Sequence, residues 1–457
     1  MPGILDVTGP IDPAHADYVP LLRQTQGNIL KGHGRDFAKL IFFRFNPPAE
    51  EARPLLIDLL RGVTSAYDQL QQTADFKNFG TPGPLFMNFF LSAKGYAALG
   101  FDQKTFVNHF VWNMTSSFFR GMKRNPRLKD PAFASWERPY QDDIHAMLLL
   151  ADDNPSFLAR RTGEVMHVIR QFATIVTVEH GAALRDETGE GLEHFGFKDG
   201  LSGPVFFRTD LKRPVGEPRA WNDAASLRLA LLRDPMVNDE AACGSFLVFR
   251  KLEQDVRGFI DREREIADEM LIDRGLVGAM VIGRFRDGSA LLAGSTNDPR
   301  DANDFNYAKD DSGAKCPFHA HIRKTNPRGE APGIMTDVRI VRRGIPYGNT
   351  PGFRPAASLP ENLRPAGGVG LLFMCFQSDP EGQFNKLQAD WANSTAFRQS
   401  DAGLDALIGQ GSGVDQRWPY GRDTANPHMA SFSGFVKMKG GEYFFAPSLP
   451  FLRKLAP

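Results

Sequence analysis

The sequence predicts a mixed α/β or α+β fold made of two related halves, and three observations lead there. Strand-like and helix-like segments alternate along the chain instead of falling into blocks of one kind. Two short apolar runs in the first part, Phe37–Phe45 (FAKLIFFRF) and Ala146–Ala151 (AMLLLA), have loose counterparts in the second, Gly244–Leu252 (GSFLVFRKL) and Gly370–Gln377 (GLLFMCFQ). The length of 457 residues exceeds a single typical core, so roughly two to three domain-sized units, or one large duplicated fold, is the expectation.

Each element has a local reason. Phe37–Phe45 is short, apolar and rich in Phe and Ile, and Ala146–Ala151 is a continuous apolar run of central-strand length. After the second run, Asp152-Asp153-Asn154-Pro155 supplies an N-cap and then proline at the first helical position. Leu158, Val165, Ile169 and Phe172 follow at helical spacing, so an amphipathic helix is predicted there. In the second half a helix-like segment, Phe384–Asn393, follows Gly370–Gln377. The polar stretch Arg208–Glu240, with little apolar periodicity at its ends, joins the halves, and the division is placed between residues 215 and 216. Val338–Gly348 (VRIVRRGIPYG) alternates as a strand that ends at Gly344, with Arg342 and Arg343 on opposite faces, one free to enter a pocket and the other to meet solvent.

Composition excludes several classes. Acidic and basic residues number 54 each, so no overall field favours nucleic acid or an acidic membrane surface. The three cysteines, Cys243, Cys316 and Cys375, are scattered and odd in number, which argues against a disulfide framework and suits a reducing compartment. The N-terminus lacks a basic region followed by an apolar one, and no stretch approaches about 18 uninterrupted apolar residues. A cytoplasmic location without membrane association is expected.

Three segments far apart in sequence carry the chemistry. In Phe195–Gly200 (FGFKDG) two glycines bracket Asp199; it is either an ordinary turn residue or a carboxylate aimed by a constrained loop. In Lys315–Arg328 (KCPFHAHIRKTNPR) two of the ten histidines, His319 and His321, lie two apart, which allows one metal ligand, a zinc pair, or hydrogen-bonded surface residues. The third is the arginine pair.

Together with Thr25–Arg35 (TQGNILKGHGR), Gly244–Leu252, Asn303–Arg328 and Gly370–Gln377, these segments run in order along most of the chain, and the whole resembles the dye-decolorizing peroxidases. Its length and the QGNILKGHGR opening look more like the branch shared by fungi and some bacteria than the compact bacterial branches.

The resemblance implies an α+β fold of two ferredoxin-like halves, 1–215 and 216–457, each an antiparallel sheet with helices. The first half would carry the distal aspartate loop, and heme b would be bound mainly by the second. It implies a heme peroxidase that reduces hydrogen peroxide and oxidises phenolic or dye-like aromatic donors by one-electron steps. His321 matches the proximal iron ligand, Asp199 the distal acid-base residue and Arg342 the distal arginine. Leu371 and Phe373 match apolar residues of the distal pocket, and Asp405 the acidic partner of the proximal histidine. His319 stands where alanine is usual and inherits no role.

These roles are chemically coherent. An axial imidazole gains basicity when its other nitrogen donates to a carboxylate. Bound peroxide needs a base that then acts as an acid, and a cation to stabilise developing charge. An aspartate base, with a reference pKa of about 3.9 against about 6.5 for histidine, predicts activity that persists to roughly pH 5 or below. Tyr347 and Trp391 are candidate electron relays for donors too large to reach the heme. A homo-oligomer is compatible with the sequence. Two alternatives remain: a heme-binding protein without peroxide turnover, and a metallohydrolase with His319 and His321 as its zinc pair.

Overall fold

The computed structural model describes residues 3–101, 106, 112–212, 217, 219–292, 303–330, 338–411, 413–420 and 423–455. The expected division between residues 215 and 216 lies outside them.

Four strands of the first part, β1 (Phe37–Phe45), β2 (Phe86–Leu91), β3 (Ala146–Asp152) and β4 (Ala173–Ala182), pair antiparallel in the order β2-β3-β1-β4. Helices fill the crossovers: Ala66–Phe79 lies between β1 and β2, and Pro155–Ile169 between β3 and β4. The second helix starts where the sequence places it, with the Asn154 side chain accepting the Ser156 and Phe157 amides and Pro155 at its first position. A two-strand ribbon, β5 (Leu184–Arg185) and β6 (Gly191–Leu192), follows, and β7 (Leu232–Arg233) borders the second part.

The second part repeats the plan. β8 (Cys243–Gln254), β9 (Val341–Arg342), β10 (Ile345–Tyr347) and β11 (Gly370–Gln377) precede the small ribbon β12 (Gln416–Tyr420) with β13 (Asp423–Ala430), and β14 (Val436–Ala446) closes the series. Antiparallel pairing runs β10-β11-β8-β14. Taken in chain order, both four-strand sets have the spatial order second, third, first, fourth, which is the ferredoxin-like pattern.

The two sheets close on each other. Leu91 of β2 pairs with Phe445 of β14, and Gly181 of β4 pairs with Tyr347 of β10, so eight strands form a ring with two seams of one residue pair each. β2 and the first six residues of β3 are buried throughout, with Leu148, Leu149 and Leu150 fully so. Each such leucine contributes about 1.5–3 kcal/mol by leaving water. No helix among the described residues is long and apolar enough to cross a membrane.

Two expectations need correction. The strand expected to end at Gly344 is only Val341–Arg342 (β9), and pairing with β11 resumes beyond Gly344 as β10, with Arg343 and Gly344 between the two pieces. The segment after β11 is helical but starts earlier, at Glu381, and is a π-helix to Ala392, with the Asn385 amide bonding back five residues to Pro380.

Candidate active site

A cavity of about 230 Å³, measured over positions open to the centre of a water molecule, lies against one face of the second sheet. Period-two alternation sets its wall. Arg250, Leu252 and Gln254 of β8 and Leu371 and Phe373 of β11 line it. Lys251, between two of them, bonds instead to Glu179 of β4 at 2.9 Å, so the intervening side chains point into the strand ring. The opposite wall comes from Ile282, the short helix His321–Thr325, the π-helix through Phe384 and Leu387, and Leu407 and Ile408.

Asp199 enters on a hairpin. The Asp199 amide bonds to Gly191 O at 2.9 Å, Leu192 bridges Lys198, and the tip turns at Gly196. Gly196 (φ 90°) and Gly200 (φ 82°) both occupy the left-handed region that glycine tolerates best, so the bracketing glycines have a conformational role. Arg342 Nη1 donates to Asp199 Oδ1 at 2.6 Å, and the Gly200 amide donates to the same oxygen at 2.7 Å. Oδ2 is left without a partner among the described residues. Burial acts to raise the Asp199 carboxyl, but the charge of Arg342 and the Gly200 bond outweigh it and hold the group below its ordinary range. Arg343 is half-buried: it is absent from the cavity wall and donates to the carbonyls of Asn28, Ile29 and Arg342.

Across the cavity stands His321. Its Nδ1 lies 3.0 Å from Asp405 Oδ2, and the other Asp405 oxygen accepts the Leu407 and Ile408 amides, each at 2.9 Å. The Asp405 side chain is fully buried behind the imidazole and does not line the cavity. Lys324, one helical turn on, donates to the carbonyls of Trp391, Ser394 and Gly403, which ties the histidine's helix to the segment that carries Asp405. With Nδ1 engaged, Nε2 is the nitrogen of His321 available to a ligand.

His319 takes no part. It is fully buried, its Nδ1 lies 3.1 Å from Arg417 O, and its ring packs 4.5 Å from that of Trp418. Burial pushes its pKa down to about 3, so it is neutral. The zinc pair is not formed: His319 is absent from the cavity wall, and no cluster of three potential metal ligands occurs among the described residues. Neither relay candidate lines the cavity. Tyr347 is buried behind the sheet with its ring 5.1 Å from Lys251 Nζ, while Trp391 is half-buried against Phe397.

The donor set fits heme. It offers one imidazole backed by a carboxylate and an apolar slot between sheet and helices; Arg284 and Arg339 add positive charge to the wall while bonded to Gly288 O and Asn303 Oδ1, and to the Asp223 and Ala224 carbonyls. These two arginines were not singled out from sequence. Arg339 stands three residues before Arg342, and period-two alternation would place it on the opposite face with Arg343, so its spacing gave no signal; Arg284 lies just beyond the helix Arg274–Ile282 and carried none either. Glu193 and Gln254 also line the wall unanticipated. Burial pushes Glu193 up to about 7 against the pull of its hydrogen bonds.

Comparison with known proteins gives the family. Residues 230–406 match the family model described as Dyp-type peroxidase, C-terminal, a span that includes His321, Arg342, Leu371, Phe373 and Asp405 but not Asp199. The chain is 39% identical to the multifunctional dye peroxidase DyP2 of an Amycolatopsis species over the full length of both. It is 30% identical to dye-decolorizing peroxidase msp1 of Mycetinis scorodonius, over 94% of this chain and 87% of that protein. The crystal structure of a DyP-type peroxidase from an Anabaena species superposes with a TM-score of 0.90 at 38% identity, covering 98% of this chain and 97% of that one.

Proposed function

The chain belongs to the Dyp-type peroxidase family, and from that premise we propose a heme peroxidase in which Asp199 and Arg342 activate hydrogen peroxide for the oxidation of dyes and phenols. The observation that carries the reading is the facing arrangement across one cavity: His321 backed by Asp405 on one wall, Asp199 held by Arg342 on the other.

Heme, when bound, supplies an iron that receives peroxide and takes up its two oxidising equivalents. His321 would hold that iron through Nε2, and Asp405, accepting from Nδ1, fixes the tautomer and raises the basicity of the ring. Asp199 takes a proton from the attacking peroxide oxygen through its unengaged Oδ2 and returns it to the departing oxygen, which leaves as water. Arg342 keeps the carboxylate ionised, and its other N–H groups, unbonded among the described residues, face the charge that develops as the oxygen bond breaks. Leu371 and Phe373, with Phe384 beside Phe373, give this side an apolar wall that strengthens both interactions. Two aromatic donors, each giving one electron, complete the cycle. The apolar cavity and neutral overall charge suit uncharged aromatic donors and give no support to nucleic acid as a partner.

The test is an absorption spectrum of the purified protein before and after one equivalent of hydrogen peroxide, with Asp199→Asn beside it. A Soret band that shifts on addition, and shifts about 10²–10⁴ times more slowly in the variant, is expected. A Soret band unaffected by peroxide would instead identify a heme carrier, and stoichiometric zinc without a Soret band a metallohydrolase.

A further inference from the structure

We propose that Glu193 is a positioning residue for the distal carboxylate, its side chain holding shut the hairpin that aims Asp199 into the cavity. This rests on the reading of Asp199 as the base.

The hairpin tip is a turn with its own internal ligand. Glu193 Oε2 accepts the Phe195 amide at 2.8 Å and Oε1 the Phe197 amide at 2.9 Å, so one carboxylate spans both arms of the turn. Gln254 Nε2 donates to Oε2 at 2.5 Å and ties the carboxylate to the end of β8. Three N–H donors from two elements therefore converge on the two oxygens of one carboxyl group. Asp199 lies two residues beyond Phe197 on the same arm, which the Leu192–Lys198 bridge, the Asp199 amide to Gly191 O and the ion pairs of Lys198 with Asp186 and Glu190 also hold, so the tip and these contacts together aim the carboxylate.

The outer side of the tip is held as well. Arg286 Nε donates to Phe195 O at 3.2 Å and its guanidinium lies 4.4 Å from the Phe197 ring centroid, while Nη2 is anchored on both oxygens of the fully buried Glu263. Phe195 stacks on Phe259 at 4.0 Å. With the backbone gripped outside by Arg286 and inside by Glu193, the geometry selects one hairpin conformation. Glu193 is the member whose oxygens meet the amides nearest the aspartate.

Glu193→Gln keeps the size of the side chain but turns an NH2 toward at least one N–H donor, opening one arm of the clamp. In the heme-loaded protein, amide exchange across residues 191–200 should quicken about tenfold, a readout independent of turnover. kcat/KM for hydrogen peroxide should fall about 10–100-fold, as expected for a base displaced by about 1 Å, while kcat/KM for an aromatic donor and heme content stay unchanged. Asp199→Asn measured in parallel separates the possibilities. Peroxide kcat/KM lost in Asp199→Asn but kept in Glu193→Gln overturns the positioning role; kept in both, it overturns the Asp199 reading and the inference with it. A loss of both kcat/KM values together with heme marks a purely structural role. Should Glu193→Gln fail to load heme, Gln254→Leu, which removes one donor, carries the same test at about threefold amplitude; unchanged exchange and peroxide kinetics there overturn the proposal.

Discussion

Replacing Arg342 by Leu tests the distal pair directly. Its Nη1 donates to Asp199 Oδ1 at 2.6 Å and is the main influence opposing burial of that carboxyl. Two losses follow: the cation facing the breaking oxygen bond, worth about 10²–10³ in rate, and a charge-assisted bond worth about 1.5–3 kcal/mol in positioning. Both act through the same contact, so they overlap and do not add. The pair is open to the cavity, with side-chain exposures of 37% and 32%, which places the expected loss toward about 10². The pH profile gives an independent sign. A base works ionised, and because the folded carboxyl of the native protein lies below its ordinary range, its rate constant with peroxide should hold as pH falls from 6 to about 4. Without Arg342, burial is no longer outweighed, the carboxyl moves up, and the acid limb enters at higher pH. Glu193, at about 7, adds at most a step that levels off, since a protonated carboxyl keeps an acceptor oxygen. Stopped-flow absorption after mixing with hydrogen peroxide, from pH 8 to 3, measures both effects. A native rate already dropping tenfold per pH unit from about 6.5, or a variant whose acid limb does not move, would refute the reasoning.

Other perturbations read other parts of the molecule. Asp405→Asn leaves His321 without its anionic acceptor and should weaken heme retention or peroxide activity about 10–100-fold, followed by heme transfer to apomyoglobin and by initial rates. Trp391→Phe should lower turnover of a bulky dye while the peroxide reaction is unchanged, because Trp391 is half-buried where Tyr347 is enclosed; equal dye turnover removes Trp391 as a relay. In Gly370→Ala the new Cβ would sit 2.0 Å from Leu252 O, a backbone atom that cannot step aside, so a loss of about 1–3 kcal/mol should appear as a lowered melting temperature with parallel loss of heme.

What was legible in the sequence was whatever sits in a contiguous pattern. β1 and β11 have the residue limits their apolar runs suggest, because their centres, Leu40–Phe43 and Met374–Phe376, are buried on both faces and so read as continuous apolar stretches. The helix after β3 is announced by a cap and a proline, both local signals. The pairing of Asp405 with His321 and of Asp199 with Arg342 spans 84 and 143 residues, so periodicity could not show either. Those roles were readable only through resemblance, and their spatial meeting comes from the fold. Glu193 was overlooked for a related reason: beside FGFKDG it reads as one more loop acid, and only the convergence of the Phe195, Phe197 and Gln254 donors distinguishes it. Alternation put Arg342 and Arg343 on different faces, but it could not show that the half-buried Arg343 spends its donors on the Asn28 and Ile29 carbonyls.

The ring of eight strands joins at two places by a single residue pair, Leu91 with Phe445 and Gly181 with Tyr347, while every other junction in it is a longer ladder. Closed, it leaves its strands no bare edge for another chain to extend. Parted at those two points, it would become a pair of open four-strand sheets with four edges, and each edge would match its own partner or the same edge of a second molecule equally well. Refolding at high protein concentration therefore exposes those edges to pairing between molecules, by exchange or by aggregation.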